Sequence, residues 1–403
     1  MSNIYSQLGV ETIVNAKGPA TRVGGGTLPI EVADAMRDAT QHCVDIAQLQ
    51  GRASEIIAGV TGAQAGYVTS GAAAGLLLGT AACVTGLDPA KMNRLPATRG
   101  MRNEVVMVRS QRNFYDHAVR TVGIDLVEVG IADRYSGAGV RDAEAWEIAD
   151  AITERTACVF YVAAPQSQPA LREVIDVAHR AGVPVLVDAA AQLPPAANLE
   201  RFVSEGADLV AFSGGKAIRG PQGTGILCGR KDLVAAAALQ NLDQDVLIEQ
   251  WRPPPALFGG LDLQHLPHHG IGRPCKVGKE QIVGLLLALQ RFAAQDHEQQ
   301  FRLWRRWLEA LAAAVGSHPG ARVTIVDDEG GVTPQLELAL NEDVAHIKAL
   351  DLVVDLQMGT PGIQADPSRA REGVVIFNPS CLQEAQIPVV AARLNGLLRA
   401  GTR

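Results

Sequence analysis

The sequence predicts an α/β protein, with a mostly parallel, seven-stranded sheet in a large domain and a small α/β C-terminal domain. Three observations predict it. The chain has 403 residues, too many for one small core and enough for a large domain with a companion. Between about residues 65 and 230, short β-branched and apolar runs alternate with helix-like stretches, the pattern of a sheet covered on both faces. Beyond Pro253-Pro254-Pro255 the rhythm changes to long helical spacing followed by a second, shorter set of strands.

In order, the expected strands are Ala65–Ser70, Glu104–Ser110, Asp125–Gly130, Cys158–Ala163, Pro184–Ala190, Leu209–Ser213 and Thr224–Gly229. Gly71–Thr85 and Leu171–Ala181 supply helices between them. Only Gly214–Gly223 separates the last two strands, too short for a helical crossover, so the final strand runs antiparallel to its neighbours. Ile282, Leu285, Leu286, Leu289 and Phe292, then Phe301, Trp304, Leu308, Leu311 and Val315, fall at helical spacing and imply one long or broken helix. Strands near Ala321–Val326, Gln335–Leu340 and Gly373–Phe377, with helices near Asp343–Leu352 and Glu384–Ala400, complete the small domain. The expected division is an N-terminal arm over 1–50, a large domain over 51–265, and the linking helix with the small domain over 266–403.

Hydrophobic residues make up 47% and charged residues 20%, the balance of a chain that folds around a sizeable core. The net charge of −7 argues against a phosphate-neutralising surface, so no nucleic-acid partner is expected. Six cysteines are scattered without a C-x-x-C pair or a histidine at zinc spacing, which reads as reduced thiols and no metal site. The opening residues lack a basic region followed by an apolar stretch, and no apolar run is long enough to cross a bilayer. A cytoplasmic protein with no membrane partner is the expectation.

The most informative stretch is Phe212-Ser213-Gly-Gly-Lys216-Ala-Ile-Arg219-Gly-Pro-Gln222, a lysine leaving a buried strand between glycines. Desolvation at the rim of an apolar sheet favours the neutral amine, the form that attacks an aldehyde, so Lys216 is a candidate Schiff-base lysine for pyridoxal 5'-phosphate. The competing reading is a phosphate-binding lysine in a glycine loop. The pattern G-x-x-x-x-G-K-[ST] fails, however, because Ala217 follows Lys216. Upstream, Asp188 ends a buried strand, where open α/β sheets bind ligands. A carboxylate there suits the protonated pyridine nitrogen that makes pyridoxal an electron sink, although a strand-end aspartate can equally cap a helix or bind a metal. Tyr67-Val-Thr-Ser70-Gly71-Ala72 opens a strand into a helix whose free N–H groups, with the Ser70 hydroxyl, suit a phosphate ester; close packing is the plainer reading. Tyr115 and His117 follow another strand, and a regular helix cannot turn both rings to one cofactor face. Position in the series favours His117.

Taken together, these motifs resemble the fold-type I (aspartate aminotransferase-like) pyridoxal-phosphate-dependent enzymes. With Leu8–Thr21 and Gly272-Arg273-Pro-Cys-Lys276-Val-Gly-Lys279-Glu280, they resemble the selenocysteine synthase (SelA)-like branch, closest to the D-glucosaminate-6-phosphate ammonia-lyase-like proteins. The resemblance implies catalytic roles for Lys216, Asp188 and His117: Lys216 as cofactor-bearing lysine and proton shuttle, Asp188 on the pyridine nitrogen, His117 stacked on the ring. It also implies Ser70, Gly71, Ala72 and Ser213 around the phosphate, and a homodimer or larger assembly in which the arm contributes to the active site and Arg273 reaches the neighbouring subunit's cofactor. The catalytic pattern begins near Gly9 in an acidic chain, without the tRNA-binding region that selenocysteine synthase carries, so tRNA recognition is not expected.

The function expected is a lyase reaction, α,β-elimination with ammonia release to a 2-keto acid, from a small β-hydroxylated or amino-sugar acid such as D-glucosaminate 6-phosphate. The same carbanion chemistry would serve a racemase, an epimerase or a β-substituting transferase. A non-catalytic binding protein on this scaffold is the alternative of a different class. For the substrate's carboxylate the candidates are Arg22, Arg219, Arg369 and Arg371. Arg252, His265, His268, His269 and Arg273 after the triple proline read as either a polar pocket lining or an exposed loop.

Overall fold

The computed structural model of the chain describes residues 3–131, 142–242, 248–263, 265–328 and 331–401. It forms two compact units, one of Leu28–Ala294 and one of Met1–Thr27 with Gln295–Arg403.

In the first unit, seven strands form one sheet: β1 (Ala65–Thr69), β2 (Glu104–Val108), β3 (Asp125–Val129), β4 (Thr156–Val162), β5 (Val185–Asp188), β6 (Leu209–Ser213) and β7 (Gly225–Gly229). Their order across the sheet is β1-β7-β6-β5-β4-β2-β3. The pairs from β6 to β3 are parallel, while β7 is antiparallel to both β6 and β1, as the short loop before it requires. Strands such as Thr156–Val162 and Leu209–Ser213 are buried nearly throughout because both faces are covered, which is why they read as apolar runs and not as alternation. Val210 and Phe212 face a core shared with helices Ile46–Thr61, Leu171–Arg180, Asn198–Ser204 and Lys279–Ala294. Leu209 and Ala211 face the other, filled by Ala72–Thr85 and Lys231–Gln240.

The free edge of β1 is closed by side chains. Gln50, buried on helix Ile46–Thr61, accepts from the Val68 N–H at 3.0 Å and donates to the Val68 carbonyl at 2.9 Å, while Ser54 Oγ accepts from the Gly66 N–H at 3.0 Å. A sheet edge that would otherwise present bare donors and acceptors is thereby satisfied within the fold.

The second unit has a three-stranded antiparallel sheet, Val374–Phe377, Pro334–Leu340 and Ala321–Asp327 in that order, packed with helices His297–Val315 and Ile387–Gly401. A short parallel ribbon pairs Ile13–Asn15 with Gly362–Gln364. The helix expected near Asp343–Leu352 is two helices, Glu342–Ala345 and Ala349–Gln357, because His346 takes a left-handed conformation (φ +50°) that ends the first. The long helix is likewise broken: Lys279–Ala294 ends before Asp296, which starts His297–Val315 by accepting from the Gln299 N–H at 2.8 Å. The units divide at 27/28 and 294/295, whereas composition placed the boundaries at 50/51 and 265/266. Helix Lys279–Ala294 packs on Ile30–Thr40 and Ile46–Thr61, so these helices stay with the large sheet. Among the described residues no helix is long and apolar enough to cross a membrane.

Candidate active site at the carboxyl edge of the sheet

Strand direction brings the candidate residues to one edge. Thr69 pairs with Gly225, and Gly225 with Ser213, so the ends of β1 and β6 and the start of β7 lie in one row; Asp188 pairs with Ala211, one strand further on. This is the carboxyl edge of the parallel strands, where such sheets bind ligands.

After Ser213 the chain folds tightly on itself. The Gly214 N–H donates to the Thr224 carbonyl, the Gly220 N–H to the Gly214 carbonyl and the Arg219 N–H to the Lys216 carbonyl, each at 2.9 Å. A Cβ on Gly215 would lie 2.5 Å from Gln222 Cα, so the glycine before Lys216 is required by packing. Lys216 is half-buried, and loss of water lowers its pKa, an effect that attraction to Asp188 only partly offsets. Asp188 is 7% exposed. Burial pushes its carboxyl up; the Ala190 N–H, donating to Oδ1 at 3.0 Å, and the Lys216 charge pull the other way without cancelling it. The amine is thus biased toward its nucleophilic neutral form, and the carboxyl would be relieved by a cation placed against it.

The third feature is the turn at Ser70–Gly71. Gly71 (φ +92°) caps helix Ala72–Thr85 with no side-chain hydrogen bond, so backbone N–H groups of the first helical turn remain for an anion. A Cβ on Gly225 would lie 2.4 Å from Gly71 C and 2.5 Å from Ala72 N, so the turn rests directly on β7. Ser70 Oγ donates to the Cys275 carbonyl at 2.8 Å, which commits its proton and ties the turn to Arg273–Cys275. A neutral-leaning amine, a buried carboxylate and an uncapped helix start on one sheet edge fit the aldehyde, the pyridine nitrogen and the phosphate of pyridoxal 5'-phosphate.

His117 is exposed in the first turn of helix Asp116–Arg120. Asp116, 2% exposed, accepts from Arg112 and Arg120; burial opposes its charge, but those two bonds outweigh it and hold the carboxyl below its ordinary range. Arg112 also pairs with Glu128, which anchors the loop ahead of His117 to β3. Arg273 donates through Nη1 to the Asn241 carbonyl at 3.4 Å, and Asn241 Nδ2 donates to the Tyr67 hydroxyl at 3.4 Å. Burial pushes that hydroxyl up to about 12, against the pull of Asn241 and Arg273. Sequence reasoning missed Tyr67 and Asn241 as supports of this corner. A tyrosine inside an apolar strand signals that a hydroxyl partner is needed, but nothing in sequence joins residues 67 and 241.

Of the arginine candidates, Arg219 lies in the lysine loop. Arg22, Arg369 and Arg371 belong to the other unit. Arg22 donates to Gln364 Oε1 at 2.7 Å, a neutral partner. Arg369 is held by two carboxylates, Glu337 and, at 3.0 Å, Glu372. Arg252, His265, His268 and His269 are exposed.

Residues 134–243 match the aminotransferase class-V family. The chain is 30% identical to the D-glucosaminate-6-phosphate ammonia lyase of Salmonella typhimurium, over 97% of each chain. It is 32% identical to a 5'-C-glycyluridine monooxygenase-decarboxylase of a Streptomyces species, covering 98% of this chain and 92% of that one. A solved structure of D-glucosaminate-6-phosphate ammonia-lyase superposes with a TM-score of 0.82 at 29% identity, over 100% of both chains.

Proposed function

The chain belongs to the selenocysteine synthase-like branch of the fold-type I pyridoxal-phosphate-dependent enzymes, and on that premise we propose that it is an ammonia-lyase that removes a β-hydroxyl from a small hydroxylated or amino-sugar acid of the D-glucosaminate 6-phosphate kind. The single observation that carries the reading is the pairing of a desolvated lysine with a desolvated carboxylate at one sheet edge, in a chain similar over its whole length to such a lyase. Bound pyridoxal phosphate supplies an electron sink for the bond that breaks at the substrate's α-carbon. Lys216 Nζ would take the α-proton and could return a proton to the departing β-hydroxyl, which would leave as water. Asp188 would keep a proton on the pyridine nitrogen, Gly71, Ala72 and Ser213 would hold the phosphate, and His117 would cover the ring. The unsaturated product takes up water to give a 2-keto acid and ammonia, so the sum over both steps conserves water.

A homodimer or larger assembly, a cytoplasmic setting and a small-molecule substrate without nucleic acid go with this reading. Elimination predicts one ammonia per 2-keto acid from D-glucosaminate 6-phosphate, with no keto-acid co-substrate and no oxygen uptake. Exchange and inversion of the α-proton without keto acid would replace the lyase by a racemase or epimerase. A second reading, an oxygen-consuming decarboxylase, has its footing in the similarity to the Streptomyces monooxygenase-decarboxylase, and oxygen uptake with carbon dioxide release in place of ammonia would establish it.

A further inference from the structure

We propose that Arg219 is the residue that recognises the α-carboxylate of the amino-acid substrate. The inference rests on the reading of Lys216 as the cofactor-bearing lysine. Arg219 stands at φ +57°, in the left-handed region; among the described residues the only other non-glycine with positive φ is His346, which ends a helix. An L-residue is strained there and a glycine is not. The loop already places glycines at 214, 215, 220 and 223, yet at the position whose backbone favours one it carries a guanidinium. Strain of this kind persists where the surrounding structure enforces it and the side chain has work to do.

The loop enforces it. Gly214 and Gly220 are tied to Thr224 and to each other, and a Cβ on Gly220 would lie 3.0 Å from the Gly214 carbonyl oxygen and 3.1 Å from Leu285. The bond from Arg219 N–H to the Lys216 carbonyl closes a tight turn, which keeps the two Cα atoms within about 7 Å. A substrate amine that replaces the Lys216 amine carries its carboxylate one carbon away, within an arginine's reach of that turn. Burial disfavours charge on both Lys216 and Asp188, so an incoming carboxylate needs a cation that cannot shed its proton. A guanidinium meets that need and offers two parallel donors.

The test uses holoenzyme and two aminooxy probes that capture the cofactor in place of Lys216, one with a carboxylate (aminooxyacetate) and one without (O-methylhydroxylamine). The change in cofactor absorption gives the preference for the carboxylate probe. In Arg219→Gly this preference should fall by about 10-fold or more, with O-methylhydroxylamine unaffected, thermal stability not lowered and the borohydride adduct still on Lys216. Arg219→Lys should fall in between. An unchanged preference, or none in the parent protein, overturns the proposal. So does loss of cofactor or of folding in Arg219→Gly, which would make the side chain part of the loop's structure. An adduct absent from Lys216 in the parent defeats the underlying reading instead, and the result does not depend on which reaction follows.

Discussion

Asp188 and Lys216 oppose each other in sign and share a cause, since water is withdrawn from both. An aspartate whose pKa is raised on folding stabilises the fold most below the ordinary carboxylate value, and that contribution is lost as pH rises through the raised value. In apo-protein, Asp188→Asn should therefore gain stability relative to the parent as pH rises from about 4, while the holoenzyme loses at least about 100-fold in turnover. Thermal unfolding against pH and steady-state rates test both halves; a stability difference that shrinks with rising pH would contradict the assignment. Both residues were legible in sequence, because a carboxylate ending an apolar strand and a lysine between glycines are local patterns. The engagement of Arg369 was not, since Glu337 comes from a neighbouring strand 32 residues away. The strain at Arg219 was equally hidden, because φ is set by the closure of the whole loop.

Among the elements, the contact of β7 with the turn after β1 is the most exposed to error. Gly225→Ala would drive a methyl group into the Gly71–Ala72 backbone, and backbone has no rotamer with which to escape. We expect a loss of roughly 1–3 kcal/mol in urea unfolding together with weaker cofactor binding by titration. Gly75→Ala, whose Cβ would meet Ala211 Cβ at an ordinary 3.5 Å, serves as the control and should be tolerated. Equal behaviour of the two variants would mean that the turn is not held by β7. The seven strands and the reversed direction of the last were readable from apolar runs and one loop length. The clasp of Gln50 on β1 was not readable, because a glutamine on an amphipathic helix looks like a solvent-facing residue until the strand it serves is placed beside it.

For the molecule as a whole, a cofactor that binds only the folded sheet adds to stability by mass action, about 2.7 kcal/mol at a concentration 100 times its Kd. Stripping pyridoxal phosphate should lower the thermal midpoint, and adding it back should restore the midpoint in a concentration-dependent way. A midpoint indifferent to the cofactor would place the ligand outside the folded site. At this scale the sequence announced two bodies but misjudged where one yields to the other, because helix Lys279–Ala294 reads as a connector and its packing onto Ile30–Thr40 depends on residues some 250 positions away.

That packing bears on how the chain leaves the ribosome. Leu28–Ala294 is an insertion within the other unit, and its two ends come back together, with Glu31 and Arg291 paired at 3.5 Å. All seven strands of the large sheet, and the helix that closes on them, are therefore synthesised before residue 295 is made. The following 109 residues take about 5–20 s to synthesise. Over that interval Ile13–Asn15 waits without Gly362–Gln364, its ribbon partner, so a stretch translated late is what lets a much earlier one settle.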